Sequence, residues 1–221
     1  MAKLRSYKLL CPIARGLDRV GDRWTLLILR DLHAGPARFT DLQRGLTGIA
    51  ANLLTERLAK LVEDGLAQKT PGPHATTLYE LTELGRKTRT LIFELAMFGA
   101  RFPSEGEIVE PGNLRTVAVT LGAAAEQVEA SDLKVVTSLI VDGEEMEVKA
   151  QGGTASVYYA PATNPDVVLR TSYKALMALS EGEVAEQEFI QDHCQIEVHV
   201  PGKENDLFHL FSRILAVFKK G

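Results

Sequence analysis

The stretch from Thr47 to Leu81, TGIAANLLTERLAKLVEDGLAQKTPGPHATTLYEL, decides the fold of the first half of the chain. Thr47-Gly48 reads as a turn. From Ala50 to Asp64 the apolar residues Leu54, Leu58, Leu61 and Val62 fall at i, i+4, i+7 and i+8, one face of an amphipathic helix that Gly65 stops. Leu66–Thr70 and Thr77–Leu81 are short strand patterns separated by Pro71-Gly72-Pro73-His74, so they form a hairpin.

Working back towards the N-terminus, Thr40 is expected to cap a short helix through Leu46. Trp24, Leu27, Ile28 and Leu32 mark a helix ending at Gly35-Pro36. Cys11-Pro12 opens another through Ile13, Leu17 and Val20, with Cys11 placed to cap it. Working forward, Thr82-Glu83-Leu84-Gly85 opens one long helix reaching about Arg101. Two helices joined by a tight turn and followed by a hairpin make a winged helix-turn-helix. In that layout the Thr40–Leu46 helix crosses the DNA backbone and the Ala50–Asp64 helix enters the major groove. Asn52, Thr55 and Glu56 lie on its outer side, where Asn52 can pair with adenine and Thr55 can touch a base edge or a thymine methyl. Arg57 and Lys60 lie on its flanks and suit phosphate or guanine. Arg38 and Thr40 at the crossing helix, with Lys69 and His74 on the wing, complete the candidate DNA-binding set. Any one of these could be an ordinary solvated side chain, and helix-turn-helix layouts also bind proteins. The ensemble favours DNA.

Charge supports that choice. Residues 1–103 hold 16 lysines and arginines against 10 acids, whereas residues 104–221 hold 9 against 19. A basic half joined to an acidic half places only the first beside a polyanion. The sign changes across residues 104–112, a Pro-, Gly- and Glu-rich linker, which gives a domain of residues 1–103 and a second of 113–221. No apolar run approaches a bilayer span and no signal peptide precedes the helices, so a cytoplasmic protein without membrane insertion is expected.

Several segments in order resemble the HxlR family of regulators: Cys11–Arg15, Gly21–Arg30, Arg38–Leu42, Gly48–Leu58 and Tyr79–Gly85. The resemblance covers about residues 8–101. It implies a DNA-binding winged helix, a homodimer formed by the first and last helices of the domain, and a palindromic operator of double-stranded DNA with half-sites ~34–36 Å apart. One departure stands out: the family often has Ser-Pro where this chain has Ala50-Ala51, which removes a helix cap and a possible phosphate contact. Some relatives use a cysteine near Cys11 as a thiol switch, and a helix N-terminus with Arg15 one turn on can favour a thiolate. The blander reading, a small half-buried residue at a helix start, is preferred, because free cysteine is among the most buried types and no resolving cysteine lies nearby.

Beyond the linker the pattern is α+β. Leu114–Val128 is a helix, followed by strands at 135–141, 145–150, 156–159 and 167–171. A helix over 172–179 and a helical stretch near Phe189-Ile190 lead to a strand over 195–200, and a last helix, capped by Asp206, starts at Leu207. Asn164–Thr171, Leu176–Gly182 and Ile196–Val200 resemble the sterol-carrier-protein type of fold, which implies an apolar cavity and a hydrophobic small-molecule effector. Its candidate lining is Leu139, Val157, Tyr159, Tyr173, Met177, Phe189, Phe211 and Phe218, residues that would equally serve as plain core. No metal-ligand spacing, phosphate loop or nucleophile elbow is present, so neither a metal nor a cofactor is expected and an enzyme is the least supported class. Two readings remain: a regulator whose acidic domain senses a hydrophobic ligand, or a lipid carrier whose helix-turn-helix contacts proteins.

Overall fold

The computed structural model describes residues 6–99, 101–102 and 112–218. The expected linker therefore lies outside the described residues except for Gly112. The chain divides into two compact units, Met1–Asn113 and Leu114–Gly221.

The first unit runs α1 (Pro12–Val20), α2 (Arg23–His33), β1 (Ala37–Arg38), α3 (Phe39–Gly45), α4 (Ala51–Glu63), β2 (Ala67–Pro71), β3 (Thr77–Leu81), α5 (Glu83–Arg86) and α6 (Thr88–Gly99). Its three-stranded sheet has the order β1-β3-β2, all antiparallel. Ile28, Leu29 and Leu32 of α2, Leu42 of α3, Leu54, Leu58 and Leu61 of α4, and Leu66 and Leu81 beside the hairpin close one core. The apolar period of α4 thus does what its spacing requires, since these leucines are fully buried.

Several boundaries differ from the sequence reading. The Cys11 side chain makes no capping bond to α1. Helix α3 begins at Phe39, not after Thr40, because the Asp41 carboxylate accepts the Arg38 amide at 3.1 Å and fixes the first turn one residue earlier. Thr40 is therefore inside the helix. The single long helix after Thr82 is two: Thr82 Oγ1 accepts the Gly85 amide at 3.1 Å, α5 stops after one turn, and Thr88 Oγ1 donates to the Gly85 carbonyl at 2.7 Å before α6 starts. That hydroxyl satisfies an acceptor that the break would otherwise leave open. Strand β1, two residues long, carried no pattern to read.

The second unit runs α7 (Arg115–Ala125), β4 (Val135–Val141), β5 (Glu144–Gln151), β6 (Thr154–Tyr158), β7 (Val167–Thr171), α8 (Tyr173–Glu181), α9 (Glu186–Asp192), β8 (Gln195–Val198) and α10 (Lys203–Phe218). The sheet order is β6-β5-β4-β7-β8. Strands β4 and β7 are parallel and every other pair is antiparallel, a mixed sheet in an α+β unit. Val135, Leu139 and Val141 of β4, Met146 and Val148 of β5, Leu169 of β7 and Leu207, Leu210 and Ile214 of α10 are all buried. Helix α10 starts at Lys203. Asp206 sits in its first turn, holding Lys203 Nζ at 2.8 Å, because the turn at Pro201-Gly202 already directs the Lys203 amide to the Val200 carbonyl.

Candidate nucleic-acid interface

Helix α4 meets the core through its leucines and shows solvent a stripe of Ala51, Asn52, Thr55, Glu56, Ala59 and Glu63. Ala50 at the N-cap makes no side-chain bond, as the missing serine requires. Thr55 Oγ1 donates back to the Ala51 carbonyl at 2.8 Å, which leaves its acceptor lone pairs and its methyl facing outward.

The two cations of this helix are not on the stripe. Arg57 is half-buried and grips Asp22 with two nitrogens, Nε to Oδ1 at 3.1 Å and Nη2 to Oδ2 at 3.3 Å, while Nη1 donates to Glu56 Oε1 at 3.1 Å. Asp22 Oδ1 also accepts the Trp24 and Thr25 amides and so caps α2. Partial burial pushes the Asp22 carboxyl up, but Arg57 and the two amides outweigh it and hold it below its ordinary value. Arg57 therefore fastens the start of α2 to α4. Lys60 donates to Asp64 Oδ1 at 2.9 Å and to Glu63 Oε2 at 3.1 Å; these bonds hold its ammonium above its ordinary value. Asp64 also receives Arg19 at 2.8 Å, which ties α1 to the end of α4. The flanking cations read as phosphate or guanine ligands are thus engaged inside the unit.

Exposed cations surround α4 instead. Arg38 and Thr40 are exposed at the start of α3, and Arg44 is exposed at its end. Lys69 on β2 is exposed and lies 5.7 Å from the centroid of the Tyr79 ring, and His74 is exposed at the wing tip. Arg23 at the start of α2 is exposed with its guanidinium 5.4 Å from the Trp24 ring. The sequence reading passed over Arg23 and Arg44; each stands at the end of a helix flanking α4, which is the signal that could have found them.

Two further surfaces bear on function. Ile13 and Leu17 of α1 are exposed, and so are Leu91, Leu95 and Phe98 of α6, spaced i, i+4, i+7 along one side. Cys11 is exposed, not half-buried as expected, because α1 contributes only Ala14 and Val20 to the buried set. Cys194, by contrast, is half-buried and its thiol is pushed up to about 11 by burial. A disulfide reagent at pH 8 is expected to modify one thiol per native chain fast and the second only on unfolding, with Cys11→Ser abolishing the fast phase. Two fast thiols would contradict the placement of Cys194.

In the second unit Leu139, Val157 and Phe189 are buried, whereas Tyr159, Tyr173, Met177, Phe211 and Phe218 are half-buried. Tyr159 is held on two sides, its hydroxyl donating to Glu144 Oε2 at 2.5 Å and its ring 5.0 Å from the Arg115 guanidinium. Among the described residues no group of three or more His, Cys, Asp or Glu could hold a metal ion, and no helix is long and apolar enough to cross a membrane.

Residues 19–107 match the family model for the HxlR-like helix-turn-helix. The chain is 36% identical over 90 residues to the uncharacterized HTH-type transcriptional regulator YtfH of Escherichia coli, a match that covers 39% of this chain and 70% of that relative. The chain belongs to the HxlR-like helix-turn-helix family. The HxlR match extends to the uncharacterized HTH-type transcriptional regulator Rv3095 of Mycobacterium tuberculosis, 41% identical over 92 residues, and to the HTH-type transcriptional regulator YodB of Bacillus subtilis, 27% identical over 103 residues and 92% of that protein. These HxlR-like relatives align with the first unit, about two fifths of this chain, and the chain spans 58% of the length of the mycobacterial relative.

Proposed function

We propose that the protein is a DNA-binding transcriptional regulator that acts as a homodimer on a palindromic operator. The observation that carries the reading is the arrangement around α4: a helix seated on the core by three buried leucines, with a polar stripe outward and exposed cations on the elements that flank it. Bases are read from the stripe, and phosphates are held by Arg38, Arg44, Lys69 and Arg23 rather than by Arg57 or Lys60. The relatives being transcriptional regulators supports this over a carrier whose helix-turn-helix contacts proteins. The exposed apolar sides of α1 and α6 are the surfaces a second copy would cover.

The second unit is read as a sterol-carrier-like sensor. Its support is the set of half-buried Tyr159, Tyr173, Met177, Phe211 and Phe218, adaptable or amphipathic side chains that a hydrophobic effector could contact. An effector acts on DNA binding only through unequal affinity for two arrangements of the dimer.

Titration of a fluorescent duplex from the protein's own upstream region, from 50 to 200 mM salt, tests the reading. Log affinity should fall linearly with log salt. If Arg38 and Arg44 each neutralise one phosphate per protomer, Arg38→Ala with Arg44→Ala should lower the slope by about 3.6 in a dimer. Equal binding to a scrambled duplex, or affinity indifferent to salt, would sink it.

A further inference from the structure

We propose that Glu56 is the specificity-determining residue of the reading helix, accepting a hydrogen bond from the exocyclic amino group of a cytosine in the major groove, with Arg57 as the positioning residue that aims it. The inference rests on the DNA-binding reading above.

The outward stripe of α4 carries no cation. Ala51, Asn52, Thr55, Glu56, Ala59 and Glu63 are its members, and Glu63 is engaged by Lys60. Glu56 is then the longest side chain of the stripe without a lysine partner, flanked by Asn52 one turn before and by Ala59, which reaches nothing. A carboxylate turned towards a polyanion is repelled by phosphate, so its place on this face needs a base-directed reason. The major-groove edges supply one. Cytosine offers only its amino donor, adenine sets a donor beside an acceptor, and guanine and thymine present acceptors at the corresponding positions. A carboxylate has no proton to give, so it accepts from cytosine and is repelled by guanine and thymine. Discrimination comes as much from the rejected bases as from the accepted one.

The geometry holds the carboxylate ready. Glu56 Oε1 accepts from Arg57 Nη1 at 3.1 Å, and Arg57 is itself clamped by both oxygens of Asp22, which caps α2. A charged chain thus runs from the first turn of α2 through the α4 guanidinium to an exposed acid, whose side chain keeps 53% of its surface open. The guanidinium fork fixes the direction of Glu56, limits the rotamer freedom lost on binding, and offsets part of the repulsion from nearby phosphates. Arginine at position 57 therefore serves base reading without touching a base.

The test is selection from a randomised synthetic duplex library with the full chain, run in parallel for wild type, Glu56→Gln, Glu56→Ala and Arg57→Lys. Wild type should enrich one cytosine per half-site by about tenfold over other bases. Glu56→Gln should move that position towards adenine, because a carboxamide both donates and accepts. Glu56→Ala should level that position and leave the rest of the site unchanged. Arg57→Lys should weaken the same preference with the salt slope unaltered, since an ammonium cannot bridge Asp22 and Glu56 as a planar fork does. Glu56 is exposed, so its variants keep the fold, checked by circular dichroism. The proposal is overturned if Glu56→Ala enriches the wild-type base at every position. If wild type itself enriches no sequence, the DNA-binding reading falls and takes this inference with it.

Discussion

Replacing Gly85 with alanine is expected to destabilise the first unit by about 3 kcal/mol, the upper end of what overpacking does. A Cβ at this position would lie 1.9 Å from the Leu66 carbonyl oxygen, 3.0 Å from its carbon and 3.2 Å from Leu81 Cδ2. Two of the three are backbone atoms, and the oxygen already accepts the Thr82 amide at 3.1 Å. Relief therefore has to move the start of β2 away from α5, breaking that bond and disturbing the buried pair Leu66 and Leu81. For a unit of roughly 100 residues such a loss lowers Tm by about 12 °C or more. Gly16→Ala is the control. Nothing lies within 4 Å of its Cβ position in α1, so the same substitution should be neutral or stabilise by about 0.5–1 kcal/mol. Urea and thermal melts of both variants decide the matter, and equal stabilities would mean that α5 does not press on the wing as described.

The two glycines look alike in the sequence, each one residue inside a helical pattern. What separates them is a carbonyl nineteen positions upstream of Gly85, brought there by the hairpin. The same limit explains which parts of the fold and site were readable. The period of Leu54, Leu58 and Leu61 and the turn residues between β2 and β3 are local signals with one physical outcome, so α4 and the wing could be placed in advance. So could the strands β4, β5 and β7, whose alternation or apolar runs end at Gly143, Gly152-Gly153 or Ser172. Residue type alone does not fix a helix start where two capping groups compete within three residues, as Thr40 and Asp41 do before α3. The break between α5 and α6 depends on the Thr88 hydroxyl turning back to Gly85, which no periodicity encodes.

The site shows the limit most sharply. Arg57 and Lys60 sit where a helical wheel puts flanking cations, and a basic side chain there is naturally read as a phosphate ligand. In the structure both are already ion-paired within the unit, and the partner that holds Arg57, Asp22, is 35 positions away in sequence. Neither residue type nor spacing reports that an arginine is already bound. Once it is, the reading face changes character: small, polar and acidic residues remain, and the cations that could hold a backbone come from α2, α3 and β2. Under the proposed function, affinity and specificity are carried by different elements, so a variant of one should leave the other nearly intact.

The unfolding free energy should fall by up to about 3 kcal/mol as pH is lowered from about 6.5 to about 4, and His33 should be the cause. His33 ends α2 and is buried, with Nε2 3.0 Å from Thr88 Oγ1. The Thr88 hydroxyl spends its proton on the Gly85 carbonyl, so it can only accept from the imidazole. That sets the ring as the neutral Nε2–H tautomer. A second proton would go to Nδ1, and it is opposed by burial first and by the Arg89 charge second, so the ring is pushed down to about 4. The unfolded chain takes up this proton at its ordinary value of 6.5. Between those two values the unfolded state holds a proton that the folded state refuses. Stability must therefore rise with pH across that window and stay level, for this group, above and below it. Glutamine at position 33 can still donate to Thr88 but cannot titrate. Urea melts at pH 4.5, 5.5 and 7.0 should show the slope in wild type and its loss in His33→Gln. Carboxylates such as Asp22 contribute equally to both proteins and cancel in the difference. Parallel slopes for the two would show that His33 is protonated, or solvated, in the native state. The contact joins the end of α2 to the start of α6, the helix with the exposed Leu91, Leu95 and Phe98 stripe. Acid should consequently loosen the attachment of that surface, and in a homodimer built on α6 the subunits should separate over the same pH window.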